Sequence, residues 1–210
     1  MRLFRKKYGG VIKALGLTDY WEKLTKEQRE LIREWFTSPY QIGRIPKPDE
    51  LDSPKYVIEW TSQTASDFLR IYAAHAIGNK LFDWAEEMLL EALRRSKDAI
   101  DAHFVYNDLI DFYYRQRETK ADALELCEKY CWLDVELAPK VLECDWLKDA
   151  RLPSFQRLAI IYEKRGQYDK AIEICERALA LGLNDGTKTG FEGRIKRLKK
   201  KLNTSKLSVD

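Results

Sequence analysis

Apolar residues recur at intervals of three and four positions along much of the chain, most clearly in residues 153–183. In the first half of this stretch they share one helical face, formed by Phe155, Leu158, Ala159 and Tyr162. The second half repeats the spacing with Tyr168, Ala171, Ile172, Cys175, Ala178 and Leu179. Gly166 and Gly182 follow the two halves, where glycine commonly ends a helix. The pattern predicts two short helices that form a hairpin.

The ends and the packing of this hairpin are also predicted. Ser154 is placed to cap the first helix, and Pro153 keeps the chain before it from being helical. Ala171 and Ala178 are small, so two helix axes can approach to about 8–9 Å, the near end of the usual range.

A second hairpin is predicted for residues 62–95. Its apolar positions are Leu69, Tyr72, Ala73 and Ala76, followed by Phe82, Ala85, Leu89 and Ala92. Ala76 and Ala85 are nine positions apart, as are Tyr162 and Ala171. Because nothing else forces these two distances to agree, their agreement favours a true repeat.

A third, degenerate hairpin is predicted for residues 98–133. Its apolar positions are Tyr106, Leu109, Ile110 and Tyr113, followed by Ala123, Cys127 and Tyr130. Ile110 and Tyr130 are bulky where the other copies have small residues. Pro139 is expected to start a further helix, which would carry Val141, Leu142 and Trp146.

Amphipathic segments flank the three hairpins. Residues 9–37 predict one or two helices, one of which opens at a capping box of Thr25 and Gln28. After Gly182, a basic amphipathic helix is predicted for residues 191–202, and its polar outer face suits the terminal cap of a repeat array.

Residues 38–56 contain four prolines and few periodic apolar residues, which predicts an ordered loop and not a helix. Two interpretations remain open for this loop. It is either a plain connector or an internal occupant of the repeat groove, through Ile42 and Ile45.

The hairpin of residues 153–183 resembles a tetratricopeptide repeat in Phe155-x2-Leu158-Ala159-x2-Tyr162, then in Ala171-x3-Cys175 and Ala178. It departs from the family pattern at Cys175, where a large aromatic is preferred, and near Leu183, where proline is expected. The resemblance implies an all-α fold of TPR-like helical hairpins, an α–α superhelix. Residues 1–60 would form an N-terminal helical extension with a proline-rich loop, and residues 61–210 the repeat domain with its C-terminal capping helix.

The composition of the chain argues against several classes of function. The chain has 37 basic and 34 acidic residues and a net charge of +3, which gives nucleic acid little overall attraction. No run of eighteen apolar residues predicts a membrane span, and the N-terminus lacks the apolar core of a signal peptide. We therefore expect a cytoplasmic protein without a membrane association, whose four cysteines are buried thiols.

The sequence contains no recognisable catalytic set. His75 and His103 fall on different predicted helices without an obvious carboxylate or thiol partner. Cys127 and Cys131 are one helical turn apart and suit a zinc site completed by Cys144 or His103, but core burial explains them as well. The expectation is a non-enzymatic protein without a cofactor or metal.

The resemblance implies that the first helix of each hairpin lines a concave face that binds a protein or peptide. The inward positions expected to contact this ligand are Arg70, Asn107, Asp111, Tyr114, Gln156, Arg157, Ile160 and Glu163. Their mixed charge suits a peptide that bears both signs. Asp108 would repel a carboxylate, so the family's clamp for a C-terminal carboxylate is not expected.

The interpretation favoured by the sequence is a scaffold or adaptor that binds another protein on this concave face. The alternative is a nucleic-acid-associated protein that uses the basic C-terminal helix, whose cations are Arg194, Lys196, Arg197, Lys199, Lys200 and Lys201. Self-association through the exposed ends of the array is a third hypothesis.

Overall fold

A computed structural model describes residues 8–37, 46–148 and 150–207 of the chain. Every regular element in these ranges is a helix. The α-helices are α1 Gly10–Ala14, α2 Thr18–Lys23, α3 Lys26–Phe36, α4 Asp49–Asp52, α5 Ala65–Gly78, α6 Phe82–Arg94, α7 Ala99–Arg115, α8 Ala123–Leu142, α9 Pro153–Lys164, α10 Tyr168–Ala180 and α11 Gly190–Leu207. A short 3₁₀ turn spans Asp145–Leu147. No described helix has the length and apolar character needed to cross a membrane.

The chain forms two compact units that divide between Ser96 and Lys97. The sequence-based boundary lies earlier, after residue 60, because it follows the start of the repeat pattern. In the structure the hairpin of α5 and α6 belongs to the same compact unit as the N-terminal helices. Arg95, just after α6, donates to the carbonyl of Gly16 at 2.9 Å and to the carboxylate of Asp19 at 2.6 Å.

The N-terminal unit is organised around α3 and the α5–α6 hairpin. The predicted capping box is present at the start of α3, where the Thr25 and Gln28 side chains each accept from the other's backbone N–H. The indole of Trp35, near the end of α3, stacks on the ring of His75 at 5.4 Å between centroids. Ala76 and Ala85 are fully buried, as expected of the small positions where two helices meet.

Within the predicted loop of residues 38–56, residues 38–45 lie outside the described ranges, and with them Ile42 and Ile45. The remainder is not all loop, because Asp49–Asp52 forms the short helix α4. One backbone hydrogen bond joins this helix to the residue before α1, since Gly9 N donates to Asp52 O at 3.0 Å, and a second joins the segment after α4 to α1, since Gly10 N donates to Tyr56 O at 2.8 Å. Pro46, Pro48 and Pro54 flank this helical turn and do not prevent it.

In the C-terminal unit each helix packs on the next, from α7 to α11. The phenol rings of Tyr113 on α7 and Tyr130 on α8 stack at 5.7 Å, so the bulky residues of the degenerate hairpin fill its core. The prediction that Pro139 starts a new helix is wrong. Pro139 lies inside α8, which continues to Leu142 because Val135, Ala138 and Val141 are buried.

The hairpin of α9 and α10 has the predicted turn. Gly166 has φ +72° and Gly182 φ +73°, in the left-handed region that glycine tolerates. Ala171 and Ala178 are fully buried. The predicted cap is wrong, however: Pro153 is the first helical residue, and the Ser154 side chain is buried within the helix and caps nothing.

Candidate peptide-binding surface on α7 and α9

The predicted ligand-contacting residues fall in both compact units. Arg70 lies on α5 in the N-terminal unit, where its guanidinium is 3.4 Å from the carboxylate of Asp67. The other seven residues lie on α7 and α9 of the C-terminal unit. The candidate surface therefore consists of α7 and α9 of the C-terminal unit alone.

Tyr114, near the end of α7, is the centre of this surface. The guanidinium carbon of Arg157 on α9 lies 3.6 Å from the centroid of the Tyr114 ring, and that of Arg117 lies 4.3 Å from it. The ammonium of Lys164 is 5.8 Å from the same centroid and 3.4 Å from the phenol oxygen, to which it donates. We call these four residues the Tyr114 cluster. A phenol ring attracts cations to its face, which explains how the cluster gathers three positive charges.

The charges of the Tyr114 cluster are only partly balanced by acids. Arg117 lies 3.3 Å from the carboxylate of Glu118, whereas the described residues place no carboxylate in an ion pair with Arg157 or Lys164. Asp111, one helical turn before Arg115, is paired with that arginine at 2.7 Å. The half-buried ring and the two uncompensated cations give this part of the surface a positive character.

Three further predicted residues have intramolecular partners or partial burial. The Asn107 amide nitrogen lies 3.0 Å from Nε2 of His103, to which it donates. The Gln156 amide donates to the carbonyl of Asp185 at 3.4 Å. Ile160 is half-buried on α9. These side chains are positioned by the fold before any ligand arrives.

Glu163 contacts the capping helix. Its carboxylate lies 2.7 Å from Nζ of Lys201 and 3.7 Å from the guanidinium of Arg194, both on α11. Arg194 is buried and also donates to the carboxylate of Asp185 at 3.1 Å. Burial acts to raise the pKa of Asp185, but hydrogen bonds from Thr187 and Arg194 outweigh it and hold that pKa below its usual value. In this structure Glu163 therefore stabilises the contact between α9 and α11.

The sequence analysis missed a buried polar set behind this surface. Nδ1 of His103 lies 2.6 Å from Oδ1 of Asp134 on α8, and both side chains are almost fully buried. When the Asn107 amide donates to Nε2, Nδ1 is the ring nitrogen that donates its proton to the carboxylate. Asp134 is 31 positions from His103 in the sequence. Their contact could be predicted only from the register of α8 relative to α7.

Cys127, Cys131 and Cys175 are buried core residues, whereas Cys144 is only half-buried, so the expectation of four buried thiols is wrong at Cys144. Cys127 Sγ donates to the carbonyl of Ile110 at 3.5 Å, and burial raises the pKa of Cys175 to about 12, so that thiol is protonated at neutral pH. Among the side chains that the structure describes, no three His, Cys, Asp or Glu residues form a group able to hold a metal ion.

Residues 154–189 match the tetratricopeptide repeat family. The match covers the α9–α10 hairpin, on which Gln156, Arg157, Ile160 and Glu163 lie, and confirms the resemblance and the predicted fold class of all-α TPR-like hairpins. An uncharacterized protein of Aquifex aeolicus (strain VF5) is 29% identical over 183 residues, which are 83% of this chain and 85% of that protein. This similarity extends well beyond the tetratricopeptide repeat.

Proposed function

We propose that this protein is a non-enzymatic interaction scaffold that binds a segment of another protein across α7 and α9. The tetratricopeptide repeat at residues 154–189 supports a role in protein interaction. The observation that carries the finer proposal is the position of Arg157 over the ring of Tyr114, which joins the two helices at a half-buried aromatic residue. Tyrosine and arginine are the residue types that most often dominate binding energy at protein interfaces.

The positive charge of the Tyr114 cluster favours an acidic ligand. Arg157 and Lys164 have no carboxylate partner among the described side chains, so an acidic segment would supply one. Asp111 is already paired with Arg115 and would not strongly oppose such a segment. The sequence predicts a bound peptide with both acidic and basic residues. Its acidic residues would contact the Tyr114 cluster.

Fluorescence anisotropy with short labelled peptides of acidic, neutral and basic composition tests this proposal. We expect the full-length protein to bind the acidic peptide most tightly. Arg157→Ala should weaken that binding by about tenfold or more, the effect of an interface residue whose truncation costs about 1.4 kcal/mol or more. Arg94→Ala is the matched control, because Arg94 is an exposed arginine in the N-terminal unit. Equal affinity for the three peptides, or equal losses in the two variants, would contradict the proposal.

The alternative function, binding of nucleic acid by α11, has a smaller set of cations available than the sequence alone indicated. Arg194, Lys199 and Lys201 lie within ion-pair distance of Asp185, Glu176 and Glu163 respectively. Lys196, Arg197 and Lys200 remain exposed. A filter-binding titration with duplex DNA at two salt concentrations tests it, and three phosphate contacts would give a log–log slope of about −3.

A further inference from the structure

A cavity of about 610 Å³ lies in the N-terminal unit, between one face of α3 and the end of α4. Its volume is within the range of about 300–1,000 Å³ that is usual for small-molecule sites. One wall is formed by Tyr8 and residues 52–54. The other wall consists of four α3 residues, Lys26, Arg29, Glu30 and Arg33. The proposed peptide site lies on α7 and α9 and does not include this cavity.

The α3 wall is rich in positive charge because of the spacing of its residues. Positions 26, 29, 30 and 33 are separated by three, one and three residues, so they share one face of the helix. Three of the four are cations. The single acid, Glu30, lies 3.7 Å from Lys26, and its side chain is 58% exposed. With Asp52 of the opposite wall, the lining has three cations and two carboxylates, a net charge of +1 that favours an anion.

Arg33 is oriented by Asp52 before any ligand arrives. Its Nη2 donates to Oδ2 of Asp52 at 2.6 Å, and its Nε donates to Oδ1 at 3.4 Å. The buried indole of Trp21 fixes the same carboxylate, since its N–H donates to Oδ2 at 3.0 Å. Nη1 of Arg33 forms no hydrogen bond with a described residue, and the side chain is 35% exposed. An arginine fixed in this way loses little entropy when a ligand accepts from it.

Arg29, one helical turn earlier, is anchored on Trp21. Its Nη1 donates to the backbone carbonyl of Trp21 at 3.2 Å. Among the side chains that the structure describes, no carboxylate lies within ion-pair distance of Arg29. Its Nε and Nη2 groups can therefore donate to a ligand. Two anchored guanidinium groups that line one cavity and retain unused donors are suited to phosphate or carboxylate oxygens.

The charge and the lining of the cavity favour a phosphate monoester over a carboxylate. A phosphate monoester carries a charge of about −1.5 to −2 at neutral pH and has three acceptor oxygens. Two arginines and Lys26 can satisfy that charge, whereas a carboxylate has one charge and two oxygens. The half-buried ring of Tyr8 and the ring of Pro54 supply apolar surface on the opposite wall. An apolar group attached to the phosphate would contact these two rings.

We propose that this cavity binds a small organic phosphate monoester, with Arg29 and Arg33 in contact with the phosphate and Tyr8 in contact with the organic group. Asp52 is a positioning residue, because it orients Arg33 and its own oxygens accept from Arg33 and Trp21. The Tyr114 cluster belongs to the other compact unit, so this site is a second binding activity and not part of the peptide surface.

Isothermal titration calorimetry of the full-length protein with phenyl phosphate tests the proposal. We expect saturable binding that weakens as the salt concentration rises, because salt screens the charges. Benzoate and inorganic phosphate should each bind less tightly, since the first has a smaller charge and the second has no ring. Absence of saturable binding by phenyl phosphate would overturn the proposal. Tighter binding of benzoate would overturn the choice of phosphate, and equal binding of inorganic phosphate would overturn the role of Tyr8.

Two substitutions with opposite effects locate the site. Arg29→Gln removes a guanidinium and should weaken the binding of phenyl phosphate by about tenfold. Glu30→Gln removes a carboxylate from the same cavity and should strengthen binding by roughly twofold. Arg94→Gln is the matched control and should change nothing, because Arg94 is exposed in the same unit and does not line the cavity. Arg157→Ala should also change nothing, because Arg157 lies in the Tyr114 cluster.

Asp52→Asn separates positioning from charge. If only charge mattered, losing this carboxylate would strengthen anion binding as Glu30→Gln does. We expect weaker binding instead, because Arg33 loses the group that orients it. Stronger binding would refute the positioning role.

Circular dichroism verifies that each variant is folded. Equal losses in Arg29→Gln and Arg94→Gln would show that phenyl phosphate responds only to the net charge of the protein, and would overturn the site. A loss in Arg157→Ala that is absent in Arg29→Gln would place the phosphate at the Tyr114 cluster and would also overturn it.

Discussion

Nδ1 of His103 and Oδ1 of Asp134 lie 2.6 Å apart between α7 and α8, with 2% and 0% of their side chains exposed. A carboxylate buried to this degree is stable only when it accepts hydrogen bonds, and the imidazole N–H supplies one. The pair therefore ties the longest helix of the C-terminal unit to its neighbour inside an apolar core, together with the hydrogen bond from Cys127 Sγ to the carbonyl of Ile110.

Asp134→Ala should destabilise the C-terminal unit by about 2–4 kcal/mol, because it leaves the His103 N–H buried without its acceptor. Urea-induced unfolding followed by circular dichroism measures the loss. Asp145→Ala is the control, since the Asp145 side chain is 89% exposed and its ion pair with Lys148 lies at the surface. Similar unfolding midpoints for the two variants would mean that the buried pair adds little stability.

The glycines at two helix ends should respond to alanine in opposite directions. Gly166 has φ +72°, and alanine there costs about 1–2 kcal/mol of backbone strain although no atom lies near the added Cβ. Gly78 is the last residue of α5, has no positive φ and also has open space around it. Gly78→Ala should raise stability by up to about 1 kcal/mol. Thermal unfolding of the two variants measures both effects, and a loss in both would contradict the assigned conformations.

Periodicity predicted most of the fold because it reports the burial of one helical face, and burial dominates helix position. It found the α5–α6, α7–α8 and α9–α10 hairpins and the turn at Gly166. Periodicity misplaced the features that depend on which of two neighbouring residues occupies a given position at a helix end. Ser154 was predicted as a cap because serine suits that role, but Pro153 occupies the first helical position and places Ser154 one residue inside α9.

The candidate site was predictable only in part. The resemblance to a tetratricopeptide repeat implies inward positions for Tyr114 and Arg157, but the approach of Arg157 to the Tyr114 ring depends on how α7 and α9 pack. The same limit applies to Glu163, whose ion pairs with Lys201 and Arg194 arise from the position of α11. Contacts between residues distant in sequence are not encoded in the spacing along one helix.

The buried alanines of the α9–α10 hairpin should not tolerate larger side chains. Ala171 is fully buried and packed against core atoms. Ala171→Leu should therefore lower the free energy of unfolding by about 1–3 kcal/mol through overpacking. Ala180, at the end of the same helix, is exposed. Ala180→Leu should leave stability almost unchanged. Chemical denaturation of both variants measures the difference, and an equally small effect at Ala171 would show that the helices can separate without cost.

Asp185 should make the attachment of α11 sensitive to acid. Its folded-state pKa is lowered, despite burial, by hydrogen bonds from Thr187 and Arg194 and by the charge of Arg194. A group whose pKa is lowered by folding stabilises the folded state above its unfolded pKa, which is about 4 for aspartate, and that stability is lost as the pH falls through the folded pKa. The wild-type protein should therefore lose stability below about pH 4.

Asp185→Asn removes the charge that this linkage requires. The variant should be less stable than the wild type at pH 7, and the difference should shrink as the pH falls below about 4, where the wild-type carboxyl takes up its proton. Thermal unfolding measured from neutral to acid pH gives the comparison. Asp122→Asn is the control, because Asp122 is exposed and caps no backbone N–H at the start of α8. A gap between wild type and Asp185→Asn that stays constant with pH would show that the carboxylate acts through its shape and not its charge.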